Sequence, residues 1–276
     1  MSSSVDDELV WTIHVMAMPF TVRMRGVPDR DVAERAVRAF ADDLADADLL
    51  FSLWRPDTPM AQVALGTGSV EDAPREIREV LALAEEWRAH TGGAFDARLR
   101  RRAAARLPVE YPEGAPDPTG IVKTWAVARA LAHLEEAAAR SWMVDAAGDV
   151  CVGGEGVWTV GIADPTLVGD PHGSRPVGAV GLGHPARAMA TSGVAQARDH
   201  VWDPETGEPA RHYLQVTVVG DDLIACDAWA TAIVAGGPRT LASAVEHGVA
   251  ALAITAERSG GGFEAVVTPA WPDEDA

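Results

Sequence analysis

The sequence predicts an α+β fold in which the first half is rich in helices and the second half is rich in strands. Helical spacing of apolar residues dominates most of the chain before residue 141, whereas short strand-like runs begin at Trp142. Because helices and strands are grouped rather than alternating, the pattern favours an α+β fold over repeated βαβ units. We therefore expect a mixed β-sheet core with flanking helices.

The first half contains one strand region followed by three predicted helices. Trp11, Ile13 and Val15 lie on one side of a strand expected over residues 9–25, which Pro19 interrupts. Apolar stripes at helical spacing mark the helices that follow. We expect helices over residues 29–50, 73–90 and 121–140, and a loop over the proline-containing stretch 51–68.

The second half is read as short strands with helical segments near its end. Strands are expected over 142–145, 150–152, 157–162, 177–182, 188–192, 213–219, 250–257 and 263–268, with helical segments over 226–235 and 241–247. The predicted organisation is a flexible N-terminus over 1–8, one domain over 9–269 and an acidic tail over 270–276.

Composition and charge exclude several functional classes. The 276 residues include 41 acidic and 23 basic side chains, a net charge of −18 that repels nucleic-acid phosphates. No apolar stretch is long enough for a membrane span, and the acidic N-terminus lacks the apolar region of an export signal, so a cytoplasmic location is expected. Cys151 and Cys226 suggest neither a disulfide framework nor a thiolate metal site.

Asp227 and Thr231 form the first candidate site. They are four residues apart on a predicted helix, which places them on one face. A carboxylate and a hydroxyl are oxygen donors of the kind that Mg²⁺ accepts together with waters and substrate phosphates. The alternative is that Asp227 only caps the helix or interacts with its dipole.

Lys123 is the only lysine of the chain and follows Thr119-Gly120 at the opening of a predicted helix. Amides at a helix start attract anions, and a lysine there adds a positive charge suited to phosphate. The alternative is a solvated surface lysine. Because arginine is used everywhere else, this exception points to a site where a planar guanidinium does not fit.

Two further motifs are open to a functional and a structural interpretation. His200 lies three residues before Asp203 beside an Asp-Pro turn, where it acts either as a proton acceptor or as a structural histidine. Residues 92–96, Gly-Gly-Ala-Phe-Asp, offer free amides and an aromatic ring for a planar ligand. The alternative for this segment is a helix cap followed by a strand.

Eight segments, taken together and in order, carry a family resemblance. They are MAMPF at 16–20, FSLWRPD at 51–57, GGAFD at 92–96, DPTGIVKT at 117–124, AAGD at 146–149, ATSG at 190–193, HVWDPETGEP at 200–209 and CDAWAT at 226–231. In this combination the chain resembles the ApbE family of FAD:protein FMN transferases. The resemblance covers most of the chain and implies an ApbE-like fold.

The resemblance also implies roles for individual residues. Mg²⁺ would be held by the side chains of Asp227 and Thr231, helped by a backbone oxygen near Gly120. His200 would help to deprotonate the acceptor hydroxyl. Polar parts of the flavin would face Asp96, Asp117 and Lys123, its site would be lined by Ala94 and Phe95, and apolar or stacking surface would come from Met16, Trp54 and Trp202.

The activity implied by the resemblance is Mg²⁺-dependent transfer of FMN from FAD to a threonine or serine of a target flavoprotein, with release of AMP. The alternatives are a Mg²⁺-dependent FAD pyrophosphatase, which gives FMN and AMP, and a non-catalytic FAD-binding protein. The implied partners are FAD and the target flavoprotein, without nucleic acid.

The chain also departs from the family pattern, mostly at positions where the family has small residues. Ala17 and Met18 replace Gly-Thr, and Val122 replaces an alanine. Glycines are replaced by Thr119, Thr124 and Ala147.

Overall fold

The computed structural model describes residues 8–98, 107–165, 176–193, 201–257 and 263–272. Within these ranges the chain forms ten strands and five helices. The helices are α1 Arg30–Phe51, α2 Pro59–Leu65, α3 Arg75–His90, α4 Thr119–Glu135 and α5 Leu223–Glu246. The strands are β1 Glu8–Val15, β2 Met18–Arg25, β3 Ser141–Ala146, β4 Asp149–Gly154, β5 Trp158–Ile162, β6 Gly178–Leu182, β7 Ala188–Gly193, β8 Gln215–Gly220, β9 Ala250–Glu257 and β10 Phe263–Val267.

Eight of the described strands form one large sheet. Its order is β1-β2-β3-β4-β7-β8-β9-β10, and β5 pairs with β6 in a separate two-stranded sheet. All strand pairs of the described chain are antiparallel. The α+β class is confirmed, although these strands form an antiparallel rather than a mixed sheet.

In its middle, the large sheet is covered on both faces. Successive side chains of a strand point to opposite sides, so neighbouring residues of one strand belong to different clusters. On β4, Cys151 belongs to the main core with the helices, whereas Val150 and Val152 belong to a second cluster with Trp158 of β5 and Leu182 of β6. The helices therefore cover one face of the sheet, and the β5–β6 hairpin covers part of the other.

The helical layer brings α4 and α5 together over the sheet. Helix α4 packs between α1 and α5, and α5 also contacts β7 and β8. The helix α4 buries Ile121 and Val127, and α5 buries Ala230 and Ile233. Among the described residues, no helix combines the length and the apolar character needed to span a membrane.

Two predicted elements in the first half were wrong. The segment expected to be loop contains α2, which begins because Thr58 accepts a hydrogen bond from the Ala61 amide and because Pro59 occupies the first helical turn. The strand expected over 9–25 is a hairpin that turns at Met16-Ala17, before Pro19. Both residues of this turn have positive φ, a conformation that residues other than glycine rarely adopt. Met16 and Ala17 therefore do not indicate a turn in the sequence.

The predicted helical segments 226–235 and 241–247 belong to α5, which ends at Glu246 with His247 as its C-cap. The helix changes direction at Gly237, where φ is 64° and ψ is −147°, and Pro238 follows. Residues 1–7 and 273–276, which contain most of the predicted flexible N-terminus and acidic tail, lie outside the described residues.

Several turns and strand ends meet at one end of the large sheet. Phe20 near the start of β2 pairs with Ala146 at the end of β3, and Ala146 pairs with Asp149 at the start of β4. The end of β7 and the start of β8 meet where Gly193 pairs with Gln215. The antiparallel register therefore places these strand ends and turns at the same edge, which we call the site end of the sheet.

Candidate active site

A buried ion pair lies at the site end of the sheet. Lys123 Nζ of α4 is 2.6 Å from Asp149 Oδ2 at the start of β4. The other oxygen of Asp149 accepts a hydrogen bond of 3.0 Å from the Thr191 amide of β7. The Asp149 side chain is only 2% exposed. The only lysine of the chain is thus not a solvated surface residue but a partner of a buried carboxylate.

The start of α4 is ordered by Asp117. Its Oδ1 accepts hydrogen bonds from the Thr119 amide at 3.1 Å and from the Thr119 hydroxyl at 2.6 Å. Burial raises the pKa of Asp117, and the two bonds from Thr119 oppose this change. This helix start directs the next turn, with Lys123, toward the sheet.

Asp227 lies in the early part of α5, whose start is capped by Asp222 through the Ala225 amide. The carboxylate of Asp227 is buried, and its Oδ2 accepts a 3.0 Å hydrogen bond from the Thr124 hydroxyl of α4. Burial and the neighbouring Asp149 raise the pKa of Asp227 to about 7, although Lys123 and Thr124 favour its ionised form. This carboxylate therefore faces the Lys123 helix rather than solvent.

Thr231 lies one turn beyond Asp227 on the same helix. Its hydroxyl is 2.9 Å from the Ser192 hydroxyl of β7, so it faces the site end of the sheet. The hydroxyls of Thr191 and Thr217 are 3.0 Å apart on the opposite face of the sheet, because successive side chains of a strand alternate between its faces. The helical spacing of Asp227 and Thr231 thus places the Asp227 carboxylate against Thr124 and the Thr231 hydroxyl against Ser192, both near the site end of the sheet.

Two buried carboxylates share one ammonium group here. Burial disfavours charge on Lys123, but the neighbouring Asp149 and Asp227 raise its pKa above the usual value. When both carboxylates are ionised, the three groups carry one net negative charge. A further cation would balance that charge, because buried charges are costly unless they are paired or bind a metal.

The donor set at this end of the sheet fits Mg²⁺. Among the described residues, no three histidine, cysteine, aspartate or glutamate side chains form a metal-binding group. The expected ligands are of a different kind: the Asp227 carboxylate, the Thr231 hydroxyl and a carbonyl near Gly120 in the first turn of α4. Such hard oxygen donors suit Mg²⁺, which keeps several waters and shares its site with phosphates.

The raised pKa of Asp227 predicts a pH-dependent cost to stability. The native state keeps a proton on Asp227 up to about pH 7, while the unfolded state loses it near the ordinary value of 3.8. In the absence of metal, this group therefore destabilises the fold progressively as the pH rises through that window. We expect Asp227→Asn to be more stable than the parent at about pH 8, by on the order of a few kcal/mol, and nearly equal at about pH 4.

Urea unfolding of both proteins across this pH range, with a chelator present, measures the difference. Equal stability at both ends of the range contradicts the burial of an ionised Asp227. Adding Mg²⁺ at the higher pH is expected to stabilise the parent more than Asp227→Asn, because a ligand that binds the native state stabilises it.

Some of the residues expected to contact the flavin lie beside the start of α4. Phe95 is buried, and its ring edge is 3.8 Å from the position that a Cβ on Gly120 would take. Ala94 is also buried and packs near Gly236 of α5. The Asp117 amide donates a 2.9 Å hydrogen bond to the Ala97 carbonyl, which joins the two segments.

Asp96 is held by arginine side chains in this structure. Both of its carboxylate oxygens accept hydrogen bonds from Arg98, at 2.7 and 3.0 Å, and Arg88 lies 4.0 Å away. Its proposed contact with polar atoms of the flavin therefore competes with an existing ion pair.

The remaining predicted site residues are placed less directly. Met16 lies in the β1–β2 turn at the site end of the sheet. Trp202 is half-buried, and its indole nitrogen has no hydrogen-bond partner among the described residues. Trp54 is 65% exposed, and among the described residues no aromatic contact joins its ring to another ring. His200 lies outside the described residues.

The structure adds three residues that the sequence did not single out as site residues: Asp149, Ser192 and Thr124. Asp149 and Ser192 belong to the AAGD and ATSG motifs, so the motifs contained the signal without assigning a role. Thr124 stands where the family pattern has glycine, and only the structure shows what its hydroxyl contacts.

Comparison with known proteins establishes the family. A sequence model of the ApbE family matches residues 109–253, slightly more than half of the chain. The chain therefore belongs to the ApbE family, and the resemblance seen in its motifs is confirmed. A search of curated protein sequences finds no match.

Solved structures of the same family share the fold. The flavin transferase ApbE from Vibrio cholerae has a TM-score of 0.75 at 18% identity, with 96% of this chain and 98% of the other covered. The flavinyl transferase ApbE from Pseudomonas stutzeri, in its apo form, has a TM-score of 0.73 at 22% identity, covering 98% and 97%. The ApbE protein from Thermotoga maritima has a TM-score of 0.68 at 20% identity, covering 95% and 97%.

Proposed function

We propose that this protein is an FAD:protein FMN transferase that moves FMN from FAD to a threonine or serine hydroxyl of a target flavoprotein and releases AMP. The observation that carries the proposal is the buried cluster of Lys123, Asp149 and Asp227, with Thr231 one turn away, at the site end of the sheet. Membership of the ApbE family and similarity to solved flavin transferases support it.

The residues of the cluster have distinct tasks in this proposal. Lys123 attracts the pyrophosphate of FAD through its positive charge, and the helix dipole at the start of α4 adds to this attraction. Asp227 and Thr231 would hold Mg²⁺, with a backbone oxygen near Gly120. The chemistry that a bound Mg²⁺ supplies is neutralisation of charge on the pyrophosphate. Asp149 keeps Lys123 oriented through the 2.6 Å ion pair.

The transfer itself exchanges one phosphorus–oxygen bond for another. The acceptor hydroxyl oxygen attacks the FMN-side phosphorus, and the phosphoanhydride bond to the AMP side breaks. The bridging oxygen leaves with AMP, and His200 accepts the proton of the hydroxyl. An FMN phosphoester then remains on the target protein.

The flavin would be bound by the segment that contains Ala94, Phe95 and Asp96 and by Asp117, beside the helix start. Met16, Trp54 and Trp202 would add apolar or stacking surface. The unpartnered indole nitrogen of Trp202 is consistent with this role, because a buried donor gains from a hydrogen-bond acceptor.

The direct test is to incubate the protein with FAD and to measure AMP by chromatography, with and without Mg²⁺ and with and without a threonine-containing acceptor peptide. We expect AMP release that requires both Mg²⁺ and the peptide. Release that needs Mg²⁺ but no peptide would identify an FAD pyrophosphatase instead. Bound FAD that is not cleaved under any of these conditions would identify a binding protein.

A further inference from the structure

We propose that Thr124 is a positioning residue of this protein, whose hydroxyl orients the Asp227 carboxylate for metal binding. The inference rests on the proposed function, since it concerns the metal ligand of that same site. It assigns a role to a position at which the family pattern that the chain resembles has glycine.

The geometry of Thr124 is that of a dedicated hydrogen-bond donor. The side chain is completely buried, and its hydroxyl lies 3.0 Å from Asp227 Oδ2 and 3.2 Å from the Ile121 carbonyl of the preceding turn. A hydroxyl has only one hydrogen to donate, and an ionised carboxylate accepts it more strongly than a neutral carbonyl does. With Asp227 ionised, the hydrogen therefore goes to the carboxylate.

This bond gives the two oxygens of Asp227 different tasks. Oδ2 is held by Thr124, whereas no hydrogen bond or ion pair reaches Oδ1 from the residues that the structure describes. Oδ1 is thus the oxygen free to bind a cation. Rotation of the carboxylate would break the bond from Thr124, so the bond keeps Oδ1 in one direction.

The bond also joins the two elements that form the site. Thr124 lies on α4, next to Lys123, and Asp227 lies on α5, 103 residues further along the chain. A glycine at position 124 has no side chain that can make this contact. Partners of metal ligands, although they do not touch the metal, typically contribute about 10–100-fold to metal affinity or activity.

The test compares Thr124→Val, which removes the hydroxyl but keeps the branched shape, with Thr124→Ser, which keeps a hydroxyl. Thr268→Val is the matched control, because Thr268 is also buried and its hydroxyl bonds only backbone groups away from this site: it donates to the Val249 carbonyl and accepts from the Ala251 amide. Thr124→Ala is a second variant without the hydroxyl, in case valine impairs folding. The direct readout is Mn²⁺ affinity, measured in the full chain by the electron paramagnetic resonance signal of free Mn²⁺.

We expect Thr124→Val and Thr124→Ala to raise the Kd for Mn²⁺ about tenfold, and Thr124→Ser and Thr268→Val to stay within about twofold of the parent. In AMP release, the Mg²⁺ concentration that gives half the maximal rate should rise by the same factor in the first two variants. The KM for FAD should change little, because the phosphate-binding Lys123 is intact.

Two outcomes overturn the inference in different ways. If the parent binds Mn²⁺ and cleaves FAD, and the folded Thr124→Val and Thr124→Ala variants bind Mn²⁺ equally well, Thr124 has no positioning role but the proposed function stands. If the parent itself neither binds Mn²⁺ nor cleaves FAD, both the positioning role and the proposed function are wrong.

Discussion

Replacing Asp227 by asparagine is expected to lower the rate of AMP release from FAD about a thousandfold. The substitution keeps the size and shape of the side chain but removes the negative charge that would hold Mg²⁺. A bound metal contributes several kcal/mol of transition-state stabilisation, and about 1.4 kcal/mol corresponds to a factor of ten in rate. The fold is expected to persist, because Asn can still accept the hydrogen bond from Thr124.

Asp222→Asn is the matched control for this prediction. It makes the same chemical change five residues earlier, at the cap of the same helix, where asparagine caps as well as aspartate does. We expect this control to retain the parent rate within about threefold, because it leaves the cluster intact. An Asp227→Asn protein with more than about a tenth of the parent rate would contradict the assignment of Asp227 as a metal ligand.

The second large effect is expected on stability. Lys123→Met leaves Asp149 and Asp227 buried without the ammonium that balances them. Removing one partner of a buried ion pair typically costs about 3–5 kcal/mol. We therefore expect a loss of this size in the free energy of unfolding, measured by urea unfolding at about pH 8, where both carboxylates favour ionisation in the unfolded chain.

Two further variants test whether the loss of unfolding free energy in Lys123→Met comes from the buried ion pair. Arg129→Met is the matched control on the same helix, since Arg129 is 51% exposed and lies 3.7 Å from Glu76. Exposed pairs contribute up to about 1 kcal/mol, so this variant should change stability little. Adding Asp149→Asn to Lys123→Met should recover part of the loss. Equal effects of Lys123→Met and Arg129→Met would show that the buried pair is not the source of stability.

The features that the sequence predicted well are local in the chain. The placement of Asp227 and Thr231 on one face follows from helical spacing alone, and it is confirmed by where α5 lies. The use of a single lysine drew attention to Lys123, which the structure pairs with a buried carboxylate; its contact with phosphate stays a prediction.

The features that were missed depend on pairing between distant segments. Lys123 reaches Asp149 only because the antiparallel register brings the start of β4 beneath the start of α4. The sequence marks Thr124 only as a departure from a glycine, because its partner Asp227 lies 103 residues further along the chain. Neither contact can be predicted from the residues that surround Lys123 and Thr124 in the sequence.

Turn chemistry explains why a single strand was predicted over residues 9–25. Met16 and Ala17 have φ values of 53° and 57°, although neither is the glycine or asparagine that usually signals a two-residue hairpin. Ala147, with φ of 55°, occupies the corresponding β3–β4 turn. Positive φ costs an alanine about 1–2 kcal/mol, so both turns are strained positions that the surrounding sheet imposes.

The proposed function requires the cluster at the site end of the sheet to attach FMN to another protein. The most direct measurement is the intact mass of a threonine-containing acceptor peptide after incubation with the protein, FAD and Mg²⁺, with Asp227→Asn as the blank. We predict that the parent adds one FMN to the peptide, that Asp227→Asn adds none, and that a peptide with alanine in place of its threonine is not modified. An unmodified acceptor in the presence of complete FAD cleavage would contradict the claim and identify a hydrolase.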